Sequence, residues 1–91
     1  MAAVTITSGY PKLESFGSKL VHIWRITDVD DTETLATGLG DSISEFCVNW
    51  TGNPGTQASA GGHATESSGT ITFFPSSDNL GATVFVITDK V

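Results

Sequence analysis

The stretch "TITFFPSSDNLGATVFVIT", residues 70–88, limits what this chain can become. Two runs of β-branched and aromatic residues flank a short polar break. Each run is apolar on both faces: Ile71 and Phe73 against Phe74, then Val84 and Val86 against Phe85 and Ile87. Successive strand residues point to opposite sides, so such runs must be covered twice. Asp78, Asn79 and Gly81 carry turn chemistry, which reads the break as a hairpin connection. Pro75 cannot donate a ladder hydrogen bond and marks an edge or an exit. A chain of 91 residues has little interior for both apolar sets. The runs therefore predict a symmetric homo-oligomer, with a trimer favoured, or obligate contact with a larger protein surface.

Upstream, "KLVHIWRITDV" (residues 19–29) alternates as a strand does: Leu20, His22, Trp24 and Ile26 share one face, and Val21, Ile23, Arg25 and Thr27 the other. "SISEFCVNW" (42–50) places Phe46, Val48 and Trp50 with Ser44, opposite Ile43, Glu45, Cys47 and Asn49. "AVTIT" (3–7) reads as a first strand, "DDTET" as a turn, and "TLATGL" as a short edge strand ended by Gly38 and Gly40. No segment carries helical spacing with caps. The chain is expected to be all-β, a small antiparallel β-sandwich or barrel of five to seven strands with one long polar loop. Residues 1–18 read as an N-terminal strand and arm, because "SGYPKLESFGS" is broken by Gly9, Pro11 and Gly17. Residues 19–91 read as a single β domain with a Gly/Ser/Thr/Ala-rich loop at 51–69. That loop, "TGNPGTQASAGGHATESSG", contains nothing more apolar than alanine. It is expected to move in the free protein and to order against a neighbour in an assembly.

Few residues invite chemistry. Asp28, Asp30, Asp31 and Glu33 lie close together, and calcium sites want several oxygens at short spacing. The spacing lacks the mid-loop Gly and closing Glu of an EF-hand, so the cluster reads as a solvated hairpin turn. His22 reads as packed or edge-exposed, His63 as solvated in the loop, and Cys47 as a small buried hydrophobe. No three of these stand at zinc-ligand spacing. No nucleophile elbow or phosphate loop is present among the serines and glycines. Trp24, Trp50, Tyr10 and the phenylalanines would suit a sugar-stacking face, but both tryptophans sit in apolar runs and read as core. The expectation is no enzyme, no catalytic residue, no metal and no cofactor.

Charge is unevenly spread. Formal net charge is −6, yet Lys12, Lys19 and Arg25 all precede Ile26, where Glu14 is the sole acid. Beyond that point Lys90 stands alone against nine acids. An acidic body argues against nucleic acid as partner, since that affinity comes mainly from phosphate neutralisation. The basic lead-in suits docking on another copy's acidic surface. "MAAVTITSG" lacks the basic start and apolar core of a signal peptide, and no apolar run approaches membrane-spanning length. A single cysteine offers no disulfide framework. Synthesis in a reducing cytoplasm and no membrane partner are expected.

The chain resembles the short all-β virion proteins of phages. The likeness rests on the Met-Ala-Ala-Val β-start, on "TGLGDSISEFCVNWTG" followed by a low-complexity Gly/Ser/Thr/Ala segment, and on the closing pattern "GTITFFPSSDNLGATVFVIT". It covers residues 18–90 and is one of style. It implies a non-enzymatic structural protein of a tailed-phage virion, first of all a capsid decoration or cement protein bound to the major capsid protein. A neck, tail or fibre component and a small carbohydrate-binding module are the alternatives.

Overall fold

The computed structural model describes residues 3–50, 61–76 and 80–89. They form an all-β sandwich of two antiparallel sheets, as the alternation predicts. The strands are β1 (Thr5–Ile6), β2 (Lys12–Phe16), β3 (Lys19–Val29), β4 (Thr34–Ala36), β5 (Ile43–Trp50), β6 (Gly62–Ser67), β7 (Thr70–Pro75) and β8 (Leu80–Asp89). The larger sheet runs β1-β3-β8-β5, with β2 also paired to β3; the smaller runs β4-β7-β6.

The core lies between the sheets. Trp24, Ile26 and Val29 of β3 and Ala82, Val84 and Val86 of β8 face Ile71 and Phe73 of β7 and Leu35 of β4, all buried. Phe46, Val48 and Trp50 of β5 pack against this cluster, as their shared face requires. A bulge separates Ile26 from Val29, with Asp28 at φ 57°. The extra residue re-phases the strand, so Ile26 and Val29 both point inward despite their odd spacing.

Three sequence expectations change. First, β7 and β8 are not a hairpin. Each is central in its own sheet: β8 pairs β3 and β5, while β7 pairs β4 and β6. Their buried rows meet across the core, and the connection between them crosses from one sheet to the other; Asp78 and Asn79 lie outside the described residues. Secondly, the segment 51–69 is not all loop. Gly62–Ser67 is β6, and Ser68 (φ 49°) and Gly69 (φ 91°) join it to β7 in a two-residue turn of the I′ kind. Residues 51–60 lie outside the described residues. Thirdly, residues 3–18 belong to the sandwich. Lys12–Phe16 pairs with Lys19–Ile23 as a hairpin through Gly17 and Ser18, so "KLESF" is an edge strand rather than an arm. These additions raise the described strands to eight.

The N-terminal segment ties the two sheets together at one edge. Ala3 bridges Thr34 of the smaller sheet, and the Val4 amide donates to the Thr34 carbonyl at 3.0 Å. Two residues later, Thr5 and Ile6 pair with Thr27 and Ile26 of the larger sheet. The acid-rich turn is a second crossing, from β3 to β4. The Glu33 carboxylate accepts from the Asp30 amide at 2.9 Å, and the Glu33 amide donates to the Asp30 carbonyl at 3.2 Å. The chain thus turns between sheets there, not within a hairpin.

Candidate interaction face

Among the described residues no cavity is enclosed, and no three His, Cys, Asp or Glu side chains gather at metal-binding distance. The surface features worth weighing are therefore faces. Strand parity and register define the largest of them, the outer side of the five-stranded sheet. In one row Lys12, Ile23, Phe85 and Cys47 stand side by side; in the next, Glu14, Val21, Ile87 and Glu45. Val21, Ile23, Phe85 and Ile87 form a half-buried apolar quartet at its centre. Arg25, Thr83 and Asn49 bound one end of the face. Lys19 and Asp89, ion-paired with each other, bound the other. Phe16, 76 % exposed, sits beside Lys19 at the corner.

This arrangement follows from the sequence. Both β3 and β8 are central strands with an apolar inner row, and each also carries two large apolar residues on its outer row. The outer rows align because Ile23 pairs with Phe85 and Val21 with Ile87. Edge strands β2 and β5 flank them with Lys12, Glu14 and Glu45, the charged rim that usually surrounds an apolar interaction surface. A smaller apolar surface lies on the inner side of the β2–β3 hairpin. Leu13 pairs with His22 and is 56 % exposed, because the smaller sheet ends short of it.

The residues singled out from sequence are dispersed. Trp24 is buried, and Trp50 meets Phe73 edge-on with ring centroids 6.0 Å apart. Both belong to the core side, which withdraws Trp24 from any sugar-stacking face. His22 stacks near Trp24, centroids 6.2 Å apart, and its Nε2 lies 3.0 Å from Thr88 Oγ1. His63 is exposed as expected but stands on a strand, stacked on Phe74 at 4.7 Å. Cys47 is exposed on the outer face, not buried. Its neighbours Phe46 and Val48 point to the core, and parity sends the residue between them outward. Lys12, Glu14 and Phe16 were missed. The signal for them is "KLESF-GS-KLVHI", two runs joined by a two-residue Gly-Ser break, which is a hairpin signature.

The position of Cys47 yields a direct check. A thiol reagent should modify the folded protein stoichiometrically without denaturant. Cys47→Ser should change stability by less than about 0.5 kcal/mol, as expected of a surface site. A thiol that reacts only after unfolding would return Cys47 to the core.

The chain matches no family model, no curated protein and no solved structure.

Proposed function

We propose that this chain is a non-enzymatic structural protein of a tailed-phage virion, a capsid decoration or cement protein, that works by laying one sheet face on neighbouring protein. The observation that carries the docking role is the outer face of the five-stranded sheet, where Val21, Ile23, Phe85 and Ile87 are contiguous and half-exposed within a charged rim. A sandwich already has one buried core; a second apolar row on both central strands is best explained by a surface that covers it. The virion setting rests on the resemblance in pattern described above. The partner in this reading is the major capsid protein or another virion protein. The protein would be made in the host cytoplasm, act without a cofactor, and stabilise the shell by mass action, because a protein bound only to the assembled form shifts the equilibrium toward it.

Mass spectrometry of purified particles should find the chain in many copies. Phe85→Thr keeps a strand-forming residue but removes the ring. It should leave the β circular-dichroism spectrum in place while the protein dissociates from particles. A variant that remains bound, or particles that lack the chain, would remove the decoration role. Recovery with isolated tails instead of filled heads would move the protein to the neck or tail.

A further inference from the structure

We propose that the seat of residues 3–7 is a strand-acceptor slot, and that in an assembly it is filled by the same segment of a second copy. The inference goes beyond the docking face, concerns a different part of the molecule and does not depend on it. The slot is the seam between the edges of β3 and β4. Val4 puts a buried side chain into it, and the Val4 amide donates to the Thr34 carbonyl at 3.0 Å. Thr5 and Ile6 pair with Thr27 and Ile26, and the Thr7 amide closes the run on the Arg25 carbonyl at 2.8 Å. The requirements of the slot are therefore visible: an extended chain, an amide aimed at Thr34, and a small β-branched side chain turned into the core. Residues 3–7 meet all three, and every copy of the chain carries them. That names the occupant.

The segment is held lightly. Val4 is its buried residue; Ala3, Thr5 and Ile6 are exposed. Its ladder on β3 is two residues long, against five for β2. β1 and β2 run along the same edge of β3 in the same direction, as one edge strand interrupted at residues 8–11, which stand opposite the single Trp24. β2 therefore keeps its place when β1 lifts, and the interruption serves as the hinge. The Tyr10 amide donates to the Thr7 carbonyl at 3.2 Å across it. A segment with so few buried contacts opens locally, well before the whole domain unfolds. Exchange between copies remakes each contact of the seat, which makes it a low-cost route to association. Residues 3–11, extended at about 3.3 Å each, reach roughly 30 Å. That exceeds the two shorter dimensions of the body, 27 and 22 Å, so the segment reaches the slot of an abutting copy. In dilute solution the chain's own segment wins through its higher effective concentration. Copies held side by side in a particle bring the competing segment to a comparable one.

The test uses full-length chains, all carrying Cys47→Ser. Thr5 and Thr27 are directly opposed, so thiols introduced at both positions stand within disulfide reach. Thr5→Cys and Thr27→Cys in one chain should give an intrachain bond on mild oxidation at low concentration. Chains with Thr5→Cys alone, mixed with chains with Thr27→Cys alone, should give a mixed disulfide dimer at high protein concentration. It should exceed the like-with-like dimers, which exposed thiols form by collision, at least tenfold. A peptide of residues 1–8 should suppress the mixed dimer, and the same peptide with Val4→Asp should not. Hydrogen exchange supplies a second reading: the Val4 and Thr7 amides should exchange at least tenfold faster than the Phe73 amide of β7. Protection equal to that of Phe73 would mean that the segment leaves only when the whole domain unfolds, and would overturn the exchange. So would mixed dimers no more abundant than like-with-like ones, or mixed dimers indifferent to the peptide. An absent intrachain bond would overturn the seat itself. None of these readouts involves Phe85, so their failure leaves the docking face standing. Particle binding that survives Phe85→Thr would remove that face and leave the exchange untouched.

Discussion

Phe73→Ala should destabilise the protein strongly, by about 3–5 kcal/mol, whereas Phe74→Ala, one residue along the same strand, should be tolerated. Phe73 is fully buried on the central strand of the smaller sheet and meets Trp50 edge-on. Its backbone is held by the segment leading into β4: the Phe73 amide donates to the Glu33 carbonyl at 2.9 Å, and its carbonyl accepts from the Thr32 amide at 2.8 Å. The strand therefore cannot slide to fill the void. Truncating a buried phenylalanine costs about 3–5 kcal/mol, and a domain of this length has roughly 5–14 kcal/mol in total. For a domain this small each kcal/mol shifts the melting temperature by about 4–8 °C, so a drop of roughly 12–40 °C is expected. Phe74 is half-buried on the opposite face, where its ring stacks on His63. Losing that contact should cost about 1 kcal/mol. Thermal melts of the two variants side by side decide the matter. Equal losses would mean that β7 does not present Phe73 to the other sheet.

The two phenylalanines also show what the sequence could and could not reveal. Period-two alternation assigned Ile71 and Phe73 to one side and Phe74 to the other, and the same rule sorted β8, β3 up to its bulge and residues 45–50 of β5; at the start of β5 a bulge between Ile43 and Glu45 turns Ile43 to the core and leaves Ser44 exposed, the reverse of the expected faces. It works where a strand has an apolar inner row long enough to register. It fails for β6, whose inner row is Gly62, Ala64 and Glu66. Ala64 pairs with Phe73, and a small residue there accompanies the large ring beside it. Glu66 has a backbone amide to accept from, the Gly69 N–H at 2.8 Å. With no apolar period, the strand looked like loop. β2 was hidden for a different reason. It is an edge strand beyond the cover of the smaller sheet, so Leu13 and Phe16 both stay exposed and neither side of it reads as core.

Topology was the harder part. A turn-rich break between two apolar runs looks the same whether the runs pair as neighbours or face each other across a core. What separates the cases is partner count. β8 fills both of its ladders with β3 and β5, and β7 fills both with β4 and β6, so neither has an edge left for the other. The two-sided apolarity of β8 then divides its roles: Val84 and Val86 build the core, and Phe85 and Ile87 build the outer face. The basic lead-in seen in the sequence resolves in the same way. Lys12, Lys19 and Arg25 all stand on that outer face, on β2 and β3, within reach of its apolar quartet.

Gly69→Ala should cost about 2–4 kcal/mol, combining left-handed backbone strain with a backbone collision that cannot relax cheaply. Gly69 has φ 91°, a region that L side chains rarely adopt. A Cβ placed there would lie 2.6 Å from the Gly40 nitrogen and 3.1 Å from its Cα. Both are main-chain atoms, so a side-chain rotation cannot give way. Nor can the two loops part without loss. The Gly69 carbonyl accepts from the Thr37 amide at 2.9 Å and from the Thr37 hydroxyl at 2.6 Å, and that hydroxyl oxygen accepts from the Leu39 amide at 3.2 Å. The β6–β7 turn is thus the anchor for the connection that leads from the smaller sheet into β5. Gly17 supplies the control. It too has positive φ, 62°, in the β2–β3 turn, but nothing lies within 4 Å of its would-be Cβ. Gly17→Ala should show the strain alone, about 1–2 kcal/mol. Chemical denaturation of both variants gives the difference, which measures the contact between the loops. Thr37→Val should then remove about 1 kcal/mol or somewhat more by deleting the bridging hydroxyl. If Gly69→Ala costs no more than Gly17→Ala, the turn does not rest on Gly40, and the path from β4 to β5 must be drawn differently.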